Sequence, residues 1–292
     1  MSIAAAIDHT AWKTIELERQ PHAAIVWLNR PTVRNAFNEV MIAEVTEVFR
    51  FLSADSSLRV VVLASRGPVF CAGGDLSWMK SMATYTPEQN LADAHGLAEM
   101  LRVIDRCPHA VVVRVQGACY AGGLGLVTVA DIAIASEDAE FCLSETRIGL
   151  IPATISPYVL RAMGERAARR WFLSAERFDA ATAARLGVVH EVVPVDQLDA
   201  TVDRLLATLV RVSPNALRES KTLVRDVAGR AISDELIADT ASRIAAIRVS
   251  EEGQEGVQSF LEKRKPNWLP QELPTISAST SMTTAVPTPS EQ

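Results

Sequence analysis

Residues 109–152 decide the reading: HAVVVRVQGACYAGGLGL (109–126), DIAIA (131–135) and FCLSETRIGLIP (141–152). The valine-rich run ends at Gly117, as a buried strand ends at a turn. Gly122 and Gly123 then fall where a helix begins, so free N–H groups and the positive end of a helix dipole are presented there. Such a terminus binds an anion or stabilises an oxyanion, and glycine lets a ligand approach the backbone. The plainer alternative is a glycine turn kept only for close strand–helix packing. A second β-rich run follows, and then Glu145, a lone acid in apolar surroundings. This succession reads as the main wall of an active site.

Upstream, the same logic is repeated. LRVVVLA (58–64) reads as a buried strand and leads into FCAGGDL (70–76), a second small-residue turn before a helix start. Two backbone donors converging from separate turns on one oxygen make an oxyanion hole. Competing glycine motifs are absent: there is no G-x-G-x-x-G, no phosphate-binding lysine after the glycine pair, no G-x-S-x-G and no H-E-x-x-H.

Residues 12–17 and 23–28 read as a strand pair turning near Gln20 and Pro21, and Asn38 caps a helix running to about Ala54. Residues 77–88 read as an irregular loop whose Trp78, Met79, Met82 and Tyr85 line an acyl pocket or simply pack on the core. A helix spans about 87–106. After Pro152 come helices at 158–163, 165–173 and 180–186 and a strand at 188–193. Residues 195–265 read as helices alone. The expected divisions are a short tail (1–11), a core carrying the site (12–195), a helical C-terminal region (196–268) and a disordered tail (269–292), where Ser, Thr and Pro dominate.

The 292 residues suffice for a sizeable core, and a 48% hydrophobic share is that of a globular protein. A net charge of -6 argues against a nucleic-acid surface. The four cysteines (Cys71, Cys107, Cys119, Cys142) have no metal-ligand spacing and read as buried free thiols. No signal sequence and no membrane-spanning run is read, so cytoplasm is the expected location. No metal and no nucleotide cofactor is called for.

At 70–76, 117–134 and 141–152, and in the segments NRP (29–31), RNAF (34–37) and 255–264, the chain resembles the enoyl-CoA hydratase/isomerase family, the crotonase superfamily. The likeness spans roughly 12–268. It implies an α/β crotonase-like fold: a spiral core of ββα turns with a C-terminal helical trimerisation region, assembled as a homotrimer or as a homohexamer made of two trimers. It implies an acyl-CoA thioester as substrate, with coenzyme A carried by the substrate and not as a cofactor. The N–H groups of Gly74 and Gly122 would hold the thioester oxygen. Arg30, Ala36, Ala72, Phe260 and Lys263 would touch CoA, the plain alternative for Lys263 being a solvated helix charge. Trp78, Met82, Tyr120, Gly125 and Arg147 would border the acyl group.

One departure matters. Hydratases of this family carry a glutamate three residues after the oxyanion glycine, where this chain has Gly125. The second family glutamate falls on Glu145. With one carboxylate, Glu145 must serve both proton steps or work with another group. A single glutamate here is also similar to the Δ3,Δ2-enoyl-CoA isomerases. The run 141–158, with GERAARR (164–170) and IRVSEEGQEG (247–256), resembles the bacterial methylglutaconyl-CoA and γ-carboxygeranoyl-CoA hydratases. That favours hydration of a branched enoyl-CoA, with Glu145 as base and acid. A distal carboxylate on that substrate would need a cation, for which Arg147 is the candidate, although a salt bridge to Glu137, Asp138 or Glu140 is its plainer role. A non-catalytic CoA- or RNA-binding relative is the remaining alternative, disfavoured by the acidic charge and by the retained Glu145.

Overall fold

Runs of β-branched residues build the core, and the computed structural model describes residues 12–276. The chain opens with an antiparallel hairpin, β1 (Ile15–Gln20) and β2 (Ala23–Leu28), turning at His22 with φ 64°. Asn38 caps α1 (Glu39–Ser53), its side chain accepting the Met41 N–H at 2.9 Å. β3 (Val60–Ser65) leads through the first glycine turn to α2 (Leu76–Met82) and α3 (Pro87–Asp105). β4 (Ala110–Val115) and the short β5 (Ala118–Tyr120) precede α4 (Gly122–Val129). β6 (Ile132–Ser136) and β7 (Glu140–Cys142) precede α5 (Ser156–Ser174), which breaks at Gly164 (φ 74°) and so keeps the two expected helices distinct. β8 (Arg177–Asp179), α6 (Ala180–Arg185) and β9 (Glu191–Val193) follow.

The strands sort into two sheets: six strands in the order β1-β2-β3-β4-β6-β9, and three in the order β5-β7-β8. In two successive turns, β4–β5–α4 and β6–β7–α5, the first strand joins the large sheet, the next joins the small one, and a helix follows. This is the ββα spiral that the resemblance implies. The inner parallel strands are buried on both faces, which is why they read as unbroken valine runs. Val61, Leu63, Val111 and Val113 face one core with α1 and α3; Val60, Val62 and Val112 face a second core, where Leu198, Val202 and Leu206 pack.

Those last residues belong to α7 (Leu198–Leu209), so the first C-terminal helix packs with the spiral core. α8 (Pro214–Val227), α9 (Asp234–Val249) and α10 (Glu251–Leu261) complete a C-terminal region that is helical throughout. Their outer faces leave Val249, Val257, Phe260 and Leu261 exposed.

Two expectations need correction. The stretch read as an irregular loop is helical from Leu76 to Met82, because Asp75 caps it by accepting the Ser77 N–H at 2.8 Å. Seven residues are too few for an apolar period to show. The tail expected to be disordered from residue 269 is packed as far as Ile276, which is fully buried. The Thr275 N–H donates to Gln20 Oε1 at 2.8 Å, Gln20 Nε2 returns a bond to Thr275 O at 2.7 Å, and Asp203 accepts the Ile276 N–H. The remaining tail, 277–292, and the N-terminal tail, 1–11, lie outside the described residues. If this strap holds the C-terminal region to the hairpin, Ile276→Ala should destabilise the protein by about 2 kcal/mol in urea unfolding. A solvated tail would leave stability unchanged.

Candidate active site

The small sheet brings three separate segments to one place. Cys71 forms a parallel bridge with Cys119, the Cys71 N–H donating to Ala118 O at 3.1 Å and the Tyr120 N–H to Cys71 O at 2.9 Å. Tyr120 in turn pairs with Cys142 in the β5–β7 register. Three residues beyond these cysteines stand Gly74, Gly122 and Glu145. All three line one cavity of ≈ 420 Å³, with Ala72, Trp78 and Met82. Phe37, Leu97 and Ile155 also face it, so its surface is mostly apolar. Leu150 and Ile151 line it too and remain exposed, marking its mouth. Three other clefts among the described residues are larger, ≈ 470, ≈ 480 and ≈ 590 Å³, but none holds either glycine turn or Glu145.

Among the described residues, no backbone or side-chain acceptor takes the N–H of Gly74 or Gly122. The second turn is held under strain. Ala121 sits at φ 49°, ψ -119°, a conformation costing about 1–3 kcal/mol for a residue with a Cβ. Its own N–H is tied to Cys142 O at 2.8 Å, which fixes the turn while the next amide stays free. Gly122 must be glycine, since a Cβ there would lie 2.8 Å from Phe37 Cε2. The arrangement therefore presents two preorganised donors at the start of α4 and the approach to α2.

Glu145 opens a 3-10 turn, Glu145–Ile148. Its Oε2 is buried without a hydrogen-bond partner, and burial pushes its carboxyl above the usual carboxylate range. A carboxyl moved in that direction holds its proton more readily than a free one, which suits a group that must act as acid as well as base. Asp75, by contrast, is held down at about 2, chiefly by the Ser77 hydroxyl and further by the Ser77 amide and Arg30, which fits a cap.

Several expected site residues lie elsewhere. A Cβ on Gly125 would fall 2.4 Å from Ile155 Cγ2, so position 125 is packed against Ile155 and Leu101 and does not line the cavity. The Tyr120 hydroxyl bonds to Glu140 and its ring faces Arg177, away from the lining. Arg147 bonds to Ala175 O and ties the 3-10 turn to the end of α5; it pairs with none of Glu137, Asp138 or Glu140, nor does it line the cavity. Arg30 is occupied by Asp75 at 2.8 Å and by Ala36 O at 2.6 Å, and neither Arg30 nor Ala36 reaches the lining. Phe260 and Lys263, at the end of α10, are exposed and also stand outside it.

The sequence reading missed Asp93, Ser144, Thr154 and Ile155, all of which line the cavity. Ser144 and Ile155 flank the motif around Glu145 and were within its reach. Asp93 was not, because its link to the site is a tertiary hydrogen bond from Trp78 Nε1 at 3.0 Å. Among the described residues no group of three His, Cys, Asp or Glu could hold a metal ion, and no helix is long and apolar enough to cross a membrane.

The Glu145 shift has a measurable sign. With its carboxyl raised, the folded chain binds more protons than the unfolded chain just above the ordinary glutamate value, so this group lowers stability as pH rises through that window. Glu145→Gln should therefore gain stability relative to the parent as pH rises above the ordinary glutamate value of about 4.3, read from urea midpoints at each pH. A difference independent of pH would remove the case for a perturbed carboxyl.

A family model described as enoyl-CoA hydratase/isomerase matches residues 18–271. The chain is 31% identical over 255 residues to the mevalonyl-coenzyme A hydratase sidH of Aspergillus fumigatus, covering 87% of this chain and 93% of that one. Among solved structures, an enoyl-CoA hydratase from Shewanella pealeana is similar at 43% identity and TM-score 0.86, covering 89% of this chain and 97% of that one. Pseudomonas aeruginosa AtuE is similar at 36% identity and TM-score 0.85, with coverage of 88% and 100%. With the spiral core, the paired glycine turns and a match over most of its length, the chain belongs to the enoyl-CoA hydratase/isomerase family.

Proposed function

We propose that the protein hydrates the 2,3 double bond of a short branched enoyl-CoA thioester of the methylglutaconyl type. The single observation that carries hydration is a desolvated, unpartnered carboxyl, Glu145, sharing an apolar cavity with two free glycine N–H groups. The thioester oxygen would accept from Gly74 and Gly122, and the charge that develops on it as water attacks Cβ would be stabilised there. Loss of one such donor typically costs ~100–1000-fold in rate. Glu145 takes a proton from the attacking water and returns it at Cα when the enolate collapses.

The branched acyl group rests on the resemblance of residues 141–158 and 247–256, and on the similarity to a protein named for hydration of mevalonyl-coenzyme A. No cation stands among the described lining residues, so a distal carboxylate would stay solvated at the open mouth near Leu150 and Ile151. CoA would lie along Ala72 and the 30–36 loop, with Phe260 and Lys263 reaching it from a neighbouring copy. The exposed apolar residues of α9 and α10 support the trimer that this requires. A second reading, Δ3,Δ2-isomerisation, is favoured by one fact: Ile155 fills the place beside Gly125 where hydratases carry their other glutamate.

Ultraviolet absorbance of the enoyl thioester separates these readings. Rapid loss with 3-methylglutaconyl-CoA, and slower loss with crotonyl-CoA, is the expected result. Absorbance that grows with a 3-enoyl-CoA while neither 2-enoyl thioester is consumed would replace hydration by isomerisation. Glu145→Gln should reduce turnover by roughly 100-fold or more; full turnover in that variant would remove Glu145 from the mechanism.

A further inference from the structure

Adding water across Cα=Cβ breaks one O–H bond and forms C–O at Cβ and C–H at Cα. Glu145 can carry the transferred proton through both steps, yet the attacking water also needs a second acceptor to hold its other O–H in line. Position 125 cannot supply one, because Ile155 occupies the space into which its side chain would extend. Among the described lining residues the only other carboxylate is Asp93.

Asp93 reaches the cavity from α3, a different wall from the 3-10 turn that carries Glu145. Its Oδ1 accepts the Trp78 indole N–H at 3.0 Å, which fixes the carboxylate, and no other described group donates to it. Trp78 is itself almost fully buried and packs on the first glycine turn, its Cε3 lying 3.8 Å from a Cβ built on Gly74. One hydrogen bond thus ties Asp93 to the wall beside an oxyanion donor. Asp93 also borders a second cleft, between α1 and α3, with Thr46, Glu47 and Gly96, which gives bulk water a route to this carboxylate.

We propose that Asp93 is the second catalytic carboxylate: its Oδ2 accepts one O–H of the attacking water while Glu145 takes the other proton. The water oxygen bonds to Cβ, the π pair moves to Cα and the thioester oxygen, and Glu145 returns the proton to Cα. Asp93 releases its hydrogen bond as the new hydroxyl forms and gains no proton. The assignment rests on the hydratase reading above.

The test compares two reactions of the same site. Exchange of the α-hydrogens of butyryl-CoA with D2O needs Glu145 and the oxyanion donors but no added water, whereas hydration needs all three. Asp93→Asn keeps an oxygen for the Trp78 N–H and replaces the water acceptor by a donor. It should lower the ratio of hydration kcat to exchange rate by ~10–100-fold. A ratio that stays constant, whether both rates fall together or neither falls, overturns the proposal and leaves Asp93 as a support for Trp78. Asp93→Ser, smaller and uncharged, serves the same comparison should the asparagine variant not fold. Wild-type exchange without hydration of any enoyl thioester would overturn the hydratase reading itself and the proposal with it.

Discussion

The register of the three-stranded sheet is the constraint on which the site depends. Backbone bonds between Cys71 and the Ala118–Tyr120 strand, and between that strand and Cys142, hold three distant stretches side by side. Each stretch then leaves the sheet and delivers one group, Gly74, Gly122 or Glu145, to the same cavity. A slip of one residue would turn every side chain of these strands to the opposite face and move the amides with them. The three cysteines at the crossing points are fully or almost fully buried, small and apolar enough for the close approach this sheet demands. Burial pushes the thiol of Cys71 up to about 12, so they serve as packing groups and not as nucleophiles.

Around that frame the chemistry follows from what is left unpaired. Nearly every polar group near the site is satisfied: Asp75 by Ser77 and Arg30, Tyr120 by Glu140, Arg147 by Ala175 O. Among the described groups on the cavity, two amides, Glu145 Oε2 and Asp93 Oδ2 are left without a partner. Leaving such groups unsatisfied costs folding free energy, as does the backbone strain at Ala121. A thioester oxygen on the amides and a proton on Glu145 would satisfy them in turn. On the proposed reading, the site is in this sense built for a charge that forms only during reaction.

Much of this was legible in the sequence because it is local. Valine runs buried on both faces, glycines before helix starts and an acid in an apolar motif each carry their own signature, and they located both turns and Glu145. What escaped was tertiary. Nothing in the sequence around Arg147 says that its guanidinium turns to Ala175 O, or that Ile155 fills the space beside Gly125. Asp93 looks like any helix-surface acid until α3 is packed and the Trp78 indole finds it. The packed strap at Thr275 and Ile276 was hidden by a polar composition, which says little about a few residues held by Gln20 and Asp203.

On the proposed mechanism, the Gly74 and Gly122 amides polarise a thioester carbonyl. Isotope-edited infrared difference spectroscopy of a bound enoyl-CoA, labelled with 13C at that carbonyl, reads this directly. Two strong donors in a water-poor cavity should shift the stretch to lower frequency than the same thioester shows in water, and Gly122→Ala, which drives a Cβ into Phe37, should reduce the shift. A bound carbonyl absorbing as it does in water would rule out an oxyanion role for these amides.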